Sequence, residues 1–75
     1  MPHIHVKIVG KSEEEKTRLA EEITKAVMNA VQAKEDNISV TIEDIRKEDW
    51  VESVYKPDIL GRKDQLYKKP GYNPL

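Results

Sequence analysis

Within the first nine residues of the chain, hydrophobic and polar residues alternate strictly from Pro2 to Ile8. Ile4, Val6 and Ile8 would lie on one face of an extended segment, and His3, His5 and Lys7 on the other. A period of two predicts a β-strand with one buried face. The strand begins at Pro2, directly after Met1.

The period changes to that of a helix after Gly10. Ser12 is followed three positions later by Glu15, which is the spacing of a capping box at a helix N-terminus. The apolar residues that follow recur at spacings of one, three and four: Leu19, Ala20, Ile23, Ala26, Val27, Ala30 and Val31. This pattern predicts a helix of about five to six turns whose apolar stripe covers a sheet.

A second alternating segment follows the polar stretch at 33–37. Ile38, Val40 and Ile42 alternate there with Ser39, Thr41 and Glu43. Strand, helix and strand predict a right-handed βαβ unit with parallel strands. Because two strands make an inadequate sheet in water, we expect a second copy of the chain to contribute two more. The predicted fold class is α+β, a βαβ unit with C-terminal helical segments and a four-stranded sheet completed by dimerisation.

The residues after Arg46 predict short helical segments. Residues 48–55 form one of them, with Trp50 and Tyr55 on its apolar side. Pro57 is expected in the first turn of another, and Gly61 weakens the continuity of that second segment. The tail at 69–74 is rich in turn residues, and its Tyr72 is expected to dock on the body of the protein or on a neighbour.

Size and charge narrow the classes of function. The 75 residues predict a single domain spanning 1–75, and a core of this size needs disulfides, a metal or oligomerisation. No cysteine is present, so self-association is the route that the sequence leaves open. The 13 basic and 14 acidic residues nearly cancel, which argues against nucleic acid and anionic membrane as partners. No apolar run has the length of a membrane-spanning helix and no secretion signal is recognisable, so a cytoplasmic location is expected.

The nitrogen of Pro2 becomes a basic amine if Met1 is removed. Inside a chain its nitrogen is a tertiary amide without basicity, whereas at the terminus it is a secondary amine that can accept and return a proton. Pro2 is therefore a candidate general base, and the alternative is an ordinary structural proline.

His3 and His5 project from one strand face two positions apart, which makes a metal site conceivable. A stable site needs a third or fourth ligand, and the chain has no other His and no Cys. We interpret both as polar residues of the strand face and expect neither a metal nor a cofactor.

The Met-Pro start into an alternating strand, the capped helix, the second strand and the aromatic residue soon after it resemble the 4-oxalocrotonate tautomerase family. Residues 1–4, Trp50 and the tail at 68–72 are most similar to a dimeric bacterial subgroup that includes a phenylpyruvate enol tautomerase. The resemblance implies a cofactor-independent isomerase that interconverts enol and keto acids, with Pro2 as its catalytic base. It also implies a homodimer that acts on a small-molecule substrate.

The same resemblance implies three substrate-binding positions, two of which depart from the family pattern. Lys11 stands where the founding enzymes have a first arginine, Ser39 where they have a second, and Trp50 at the aromatic position. A single cation predicts aromatic mono-acids as substrates rather than dicarboxylates. The alternatives are a solvated loop lysine, an exposed strand serine and a tryptophan that packs in the core or at an interface. A catalytically idle dimeric module that binds a small acid or a protein partner is the other function considered.

Overall fold

The chain forms a strand, a long helix and a second strand, followed by short helical segments. A computed structural model describes all residues from 1 to 75. Strand β1 spans His3–Ile8, helix α1 Glu13–Val31 and strand β2 Ser39–Asp44. The chain divides into two compact units, Met1–Asp44 and Ile45–Leu75, here called the N-terminal unit and the C-terminal unit. The single domain expected over 1–75 stays a prediction.

The two strands are parallel neighbours, as the βαβ interpretation requires. His3 pairs with Ser39 at one end of the ladder and Ile8 with Asp44 at the other. The predicted βαβ unit with C-terminal helical segments is confirmed. Partner positions in the ladder share a face of the sheet, so the apolar residues of both strands lie together on the face opposite the histidines.

The start of α1 has the predicted cap. The Ser12 hydroxyl accepts a hydrogen bond from the Glu15 amide at 3.1 Å, and the Glu15 carboxylate accepts one from the Ser12 amide at 3.0 Å. The hydrogen bonds from Ser12 lower the pKa of Glu15. Just before the cap, Gly10 adopts a φ of 62°, the left-handed conformation that glycine accepts most easily.

Lys16 connects the first turns of α1 with the end of β2. Its ammonium lies 2.6 Å from the Asp44 carboxylate and 2.7 Å from that of Glu13. The hydrogen bond to Asp44 and then that to Glu13 raise the pKa of Lys16. Only 12% of the Lys16 side chain is exposed, so its aliphatic stem also covers part of the space between helix and strand.

The helix ends at a residue with left-handed backbone geometry. Gln32 follows α1 with φ 58° and ψ 34°, and its side-chain amide donates to the carbonyl of Asn29 at 3.0 Å. A 3₁₀ turn at Glu35–Asn37 then leads into β2. Because the two strands are parallel, this connection returns the chain to the end of the sheet where β1 begins.

The C-terminal unit corrects one prediction. A 3₁₀ turn at Lys47–Asp49 precedes a π-helix at Val51–Ile59 and a 3₁₀ segment at Leu60–Gln65, which is kinked at Arg62. Pro57 therefore lies inside the first long segment and does not begin another. In an α-helix its ring would meet the carbonyl four residues earlier, and its nitrogen could not donate a hydrogen bond to that carbonyl.

Only two residues of the isolated chain are buried, and both lie in the C-terminal unit. Val54 and Tyr55 are each 5% exposed. In the N-terminal unit the apolar faces of strands and helix are at most half-buried, and Val31 at the end of the stripe is 65% exposed. No helix of the chain combines the length and the apolar composition that crossing a membrane requires.

Candidate active site

Pro2 lies at the head of β1, where the two parallel strands start. Its carbonyl accepts a hydrogen bond from the Ser39 amide at 3.2 Å, which extends the ladder by one position. Met1 precedes it with a fully exposed side chain. The backbone on the carbonyl side of Pro2 is thus held in the sheet, while its nitrogen stands at the sheet edge next to a residue without packing constraints.

An open depression surrounds Pro2, formed by the end of α1 and the connection to β2. Its lining residues belong to these segments: Met1, Pro2, Val31, Gln32, Ala33, Lys34 and Asn37. Val31 and Ala33 contribute apolar surface, Gln32 and Asn37 contribute amides, and Lys34 contributes the cation. No sequence motif marks this connection as functional, although a parallel crossover returns the chain to the edge of the sheet where the first strand starts.

The structure brings Ser39 next to Pro2 through the backbone but not through the side chain. The Ser39 hydroxyl forms a hydrogen bond with His3 Nδ1 at 2.7 Å on the polar face of the sheet. Side chains alternate between faces, so the Pro2 ring points toward the face opposite that hydroxyl. Ser39 contributes to the position of Pro2, and its hydroxyl already has a partner.

His5 also pairs across the strands. Its Nε2 lies 2.8 Å from the Glu43 carboxylate, on the same face as the His3–Ser39 pair. The two histidines thus each contact a different side chain of β2. The chain brings no group of three or more His, Cys, Asp and Glu side chains together at one point.

Lys11 lies at the other end of β1 from Pro2. Six residues at about 3.3 Å per step make the strand alone roughly 17 Å long, and Lys11 follows its far end. There it lines a small apolar hollow with Ile8 and Leu19. Its ammonium is also one of the charges that lower the pKa of Glu15, after the larger effect of the Ser12 hydrogen bonds. Within one protomer, Lys11 and Pro2 do not form a common site.

Trp50 belongs to the C-terminal unit and is half-buried there. Its indole N–H donates to the Tyr72 hydroxyl at 2.8 Å, and the Tyr72 ring lies 5.7 Å from that of Tyr55 at 43°. The predicted docking of Tyr72 on the body of the protein is therefore observed within this unit. With the N–H satisfied, the faces and edges of the Trp50 ring are what it can offer to a ligand.

Known proteins are similar to this chain in sequence and in fold. The sequence model of the family described as tautomerase enzyme matches residues 2–54. A probable tautomerase of Xylella fastidiosa is 40% identical over 76 residues, covering 100% of this chain and 93% of that protein. The tautomerase PptA of Pectobacterium atrosepticum is 40% identical over 75 residues, covering 97% and 99%. A structure from a study of the 4-oxalocrotonate tautomerase isozymes of Methylibium petroleiphilum superposes with a TM-score of 0.63 at 38% identity, covering 65% of this chain and 81% of that one.

A βαβ unit that starts at a proline and matches these relatives over nearly its whole length defines an enzyme of the isomerase class. The chain belongs to the tautomerase family. The resemblance drawn from the sequence is thereby confirmed at the level of family, fold and enzyme class.

Proposed function

We propose that this tautomerase interconverts the enol and keto forms of small 2-oxo acids, with the amine of Pro2 as general base after removal of Met1. The observation that carries the proposal is the place of Pro2. Its carbonyl is fixed in the ladder by Ser39, while its nitrogen stands at the sheet edge in an open depression. A base anchored on one side and accessible on the other can meet a substrate without rearrangement of the sheet.

The chemistry needs one group that carries a proton. The neutral amine accepts the proton of the enol hydroxyl, and the resulting ammonium returns it to the adjacent carbon, so that the keto acid forms and the amine is regenerated. A general base is most effective when its pKa lies near the working pH.

The three predicted substrate-binding residues have different roles in this proposal. Lys11 is too far from Pro2 along the strand, so it can serve the site only from a second copy of the chain. Ser39 acts through its backbone amide on Pro2. Trp50, whose N–H is already bonded to Tyr72, would supply an aromatic wall.

A substrate comparison tests the function. We expect ketonisation of phenylpyruvate enol with a higher kcat/KM than that of the dicarboxylate 2-hydroxymuconate, because the Pro2 depression contains one cation and apolar surface. Stopped-flow absorbance of the two enols measures both rates after subtraction of the spontaneous reaction. If neither enol is turned over, the proposed function is refuted. A higher kcat/KM for the dicarboxylate would refute the mono-acid specificity.

We further propose that the protein is a homodimer. No residue of the N-terminal unit is buried in the isolated chain, and its sheet has only two strands. A second copy would complete four strands and cover the apolar positions, whereas the other face of the sheet presents His3, His5 and Glu43. Burying these polar groups between dimers would cost free energy wherever a hydrogen bond to water is not replaced, and several kcal/mol if the Glu43 carboxylate lost its partner.

Light scattering should therefore give a mass near twice that of one chain at micromolar concentration. A mass of six chains would mean that the histidine face is also an interface. A mass of one chain would contradict the argument from burial.

A further inference from the structure

The depression around Pro2 contains one cationic side chain, that of Lys34. It lies two positions after the left-handed Gln32, on the connection between α1 and β2. Its backbone is held in place, because the Lys34 carbonyl accepts a hydrogen bond from the Asn37 amide at 3.0 Å. Lys11, to which the family resemblance gives the carboxylate-binding role, lies at the other end of the strand.

Lys34 has no carboxylate partner in the chain. Lys16, Lys25, Lys56 and Arg46 are all engaged in ion pairs, and Lys34 takes part in none of the ion pairs or side-chain hydrogen bonds. Its neighbours Glu35 and Asp36 are exposed and do not line the depression. An uncompensated ammonium beside apolar Val31 and Ala33 matches a ligand with one carboxylate and one apolar group.

We propose that Lys34, from the same protomer as the Pro2 it serves, binds the carboxylate of the substrate. The proposal deepens the tautomerase function proposed above and rests on it for the identity of the substrate. It makes the end of α1 and the following connection the wall that selects a mono-acid. A lysine binds a carboxylate as a point charge with three rotatable donors, which suits one carboxylate on a mobile ligand.

The first test is a binding measurement that requires no turnover. Cinnamate, an aryl carboxylate without an enol proton, and cinnamamide, its uncharged counterpart, are titrated into the full chain lacking Met1 and followed by NMR or calorimetry. We expect Lys34→Ala to weaken cinnamate about tenfold, the usual scale of one charge-assisted contact, and to leave cinnamamide unchanged. Lys34→Arg, which keeps the charge, should retain most of the affinity.

Lys25→Ala is the matched control, since Lys25 is an exposed lysine of the same unit that does not line the depression. It should change neither affinity. Equal binding of cinnamate and cinnamamide by the unmodified protein, no binding of cinnamate, or cinnamate affinity that survives Lys34→Ala would each overturn the role of Lys34.

The kinetic test separates this inference from the proposed function. With phenylpyruvate enol, Lys34→Ala should raise KM about tenfold and leave kcat nearly unchanged, because the contact is lost in ground state and transition state alike. If the unmodified enzyme turns over the enol and Lys34→Ala does not alter KM, the inference fails while the function stands. If the unmodified enzyme has no turnover but cinnamate binding depends on Lys34, the function fails and the anion site stands.

Discussion

Pro2→Ala is expected to lower kcat/KM for phenylpyruvate enol by about 100-fold or more, the scale at which a positioned general base contributes. The substitution leaves a primary amine at the terminus but removes the ring that makes the nitrogen a secondary amine and limits its rotation about Cα. The Ser39 amide can still donate to the carbonyl of residue 2, because that bond involves only the backbone. The loss should therefore appear in the rate and not in the fold.

An extended form of the protein, which retains Met1 before Pro2, should have no activity. Its Pro2 nitrogen is an amide, which carries no basic lone pair, although all other residues of the depression are present. Intact mass verifies which N-terminus each preparation has, and progress curves of enol ketonisation measure the rate.

Pro57→Ala is the control for this prediction, because Pro57 is an exposed proline within the π-helix whose nitrogen is always an amide. Its kcat/KM should remain near that of the unmodified enzyme. Full activity of the extended form would exclude the N-terminal amine as the base. A Pro2→Ala enzyme as fast as the parent would show that the proline ring is not required and would contradict the proposed role of Pro2.

Tyr55→Ala should have the largest effect on stability, lowering the free energy of unfolding by about 3–5 kcal/mol, as for other large-to-small changes of buried aromatic residues. Tyr55 is 5% exposed, and its ring contacts that of Tyr72. Tyr72 in turn accepts the hydrogen bond of the Trp50 indole. Deletion of the Tyr55 ring therefore leaves a cavity beneath the tail and removes the surface on which Tyr72 rests.

Urea unfolding followed by Trp50 fluorescence measures this loss, at one fixed protomer concentration because association adds to apparent stability. Tyr67→Ala is the matched control, since the Tyr67 side chain is fully exposed. Its effect should stay within about 0.5 kcal/mol, as for most surface substitutions. Equal effects of the two substitutions would show that the tail does not pack as described.

The elements of the N-terminal unit could be predicted because their signals are local. Alternation of apolar and polar residues, the Ser12–Glu15 spacing and the break after Val31 each depend on residues a few positions apart. The parallel pairing followed from the long helix between the strands, because a connection of this length is typical of a crossover between parallel strands. Pro2 was a candidate for the same reason, because its chemistry depends on its place in the chain and not on its neighbours in space.

The tertiary structure decided which residues share a site. The spacing along the chain places Lys11 closer to Pro2 than Lys34, yet β1 separates Lys11 from Pro2 and the crossover returns Lys34 to it. Local sequence patterns also could not predict the π-helix that includes Pro57. The same holds for the contacts of Tyr72 with Trp50 and Tyr55. The physical reason is that periodicity and capping depend on nearest neighbours, whereas a binding site and a docked tail depend on contacts between residues distant in sequence.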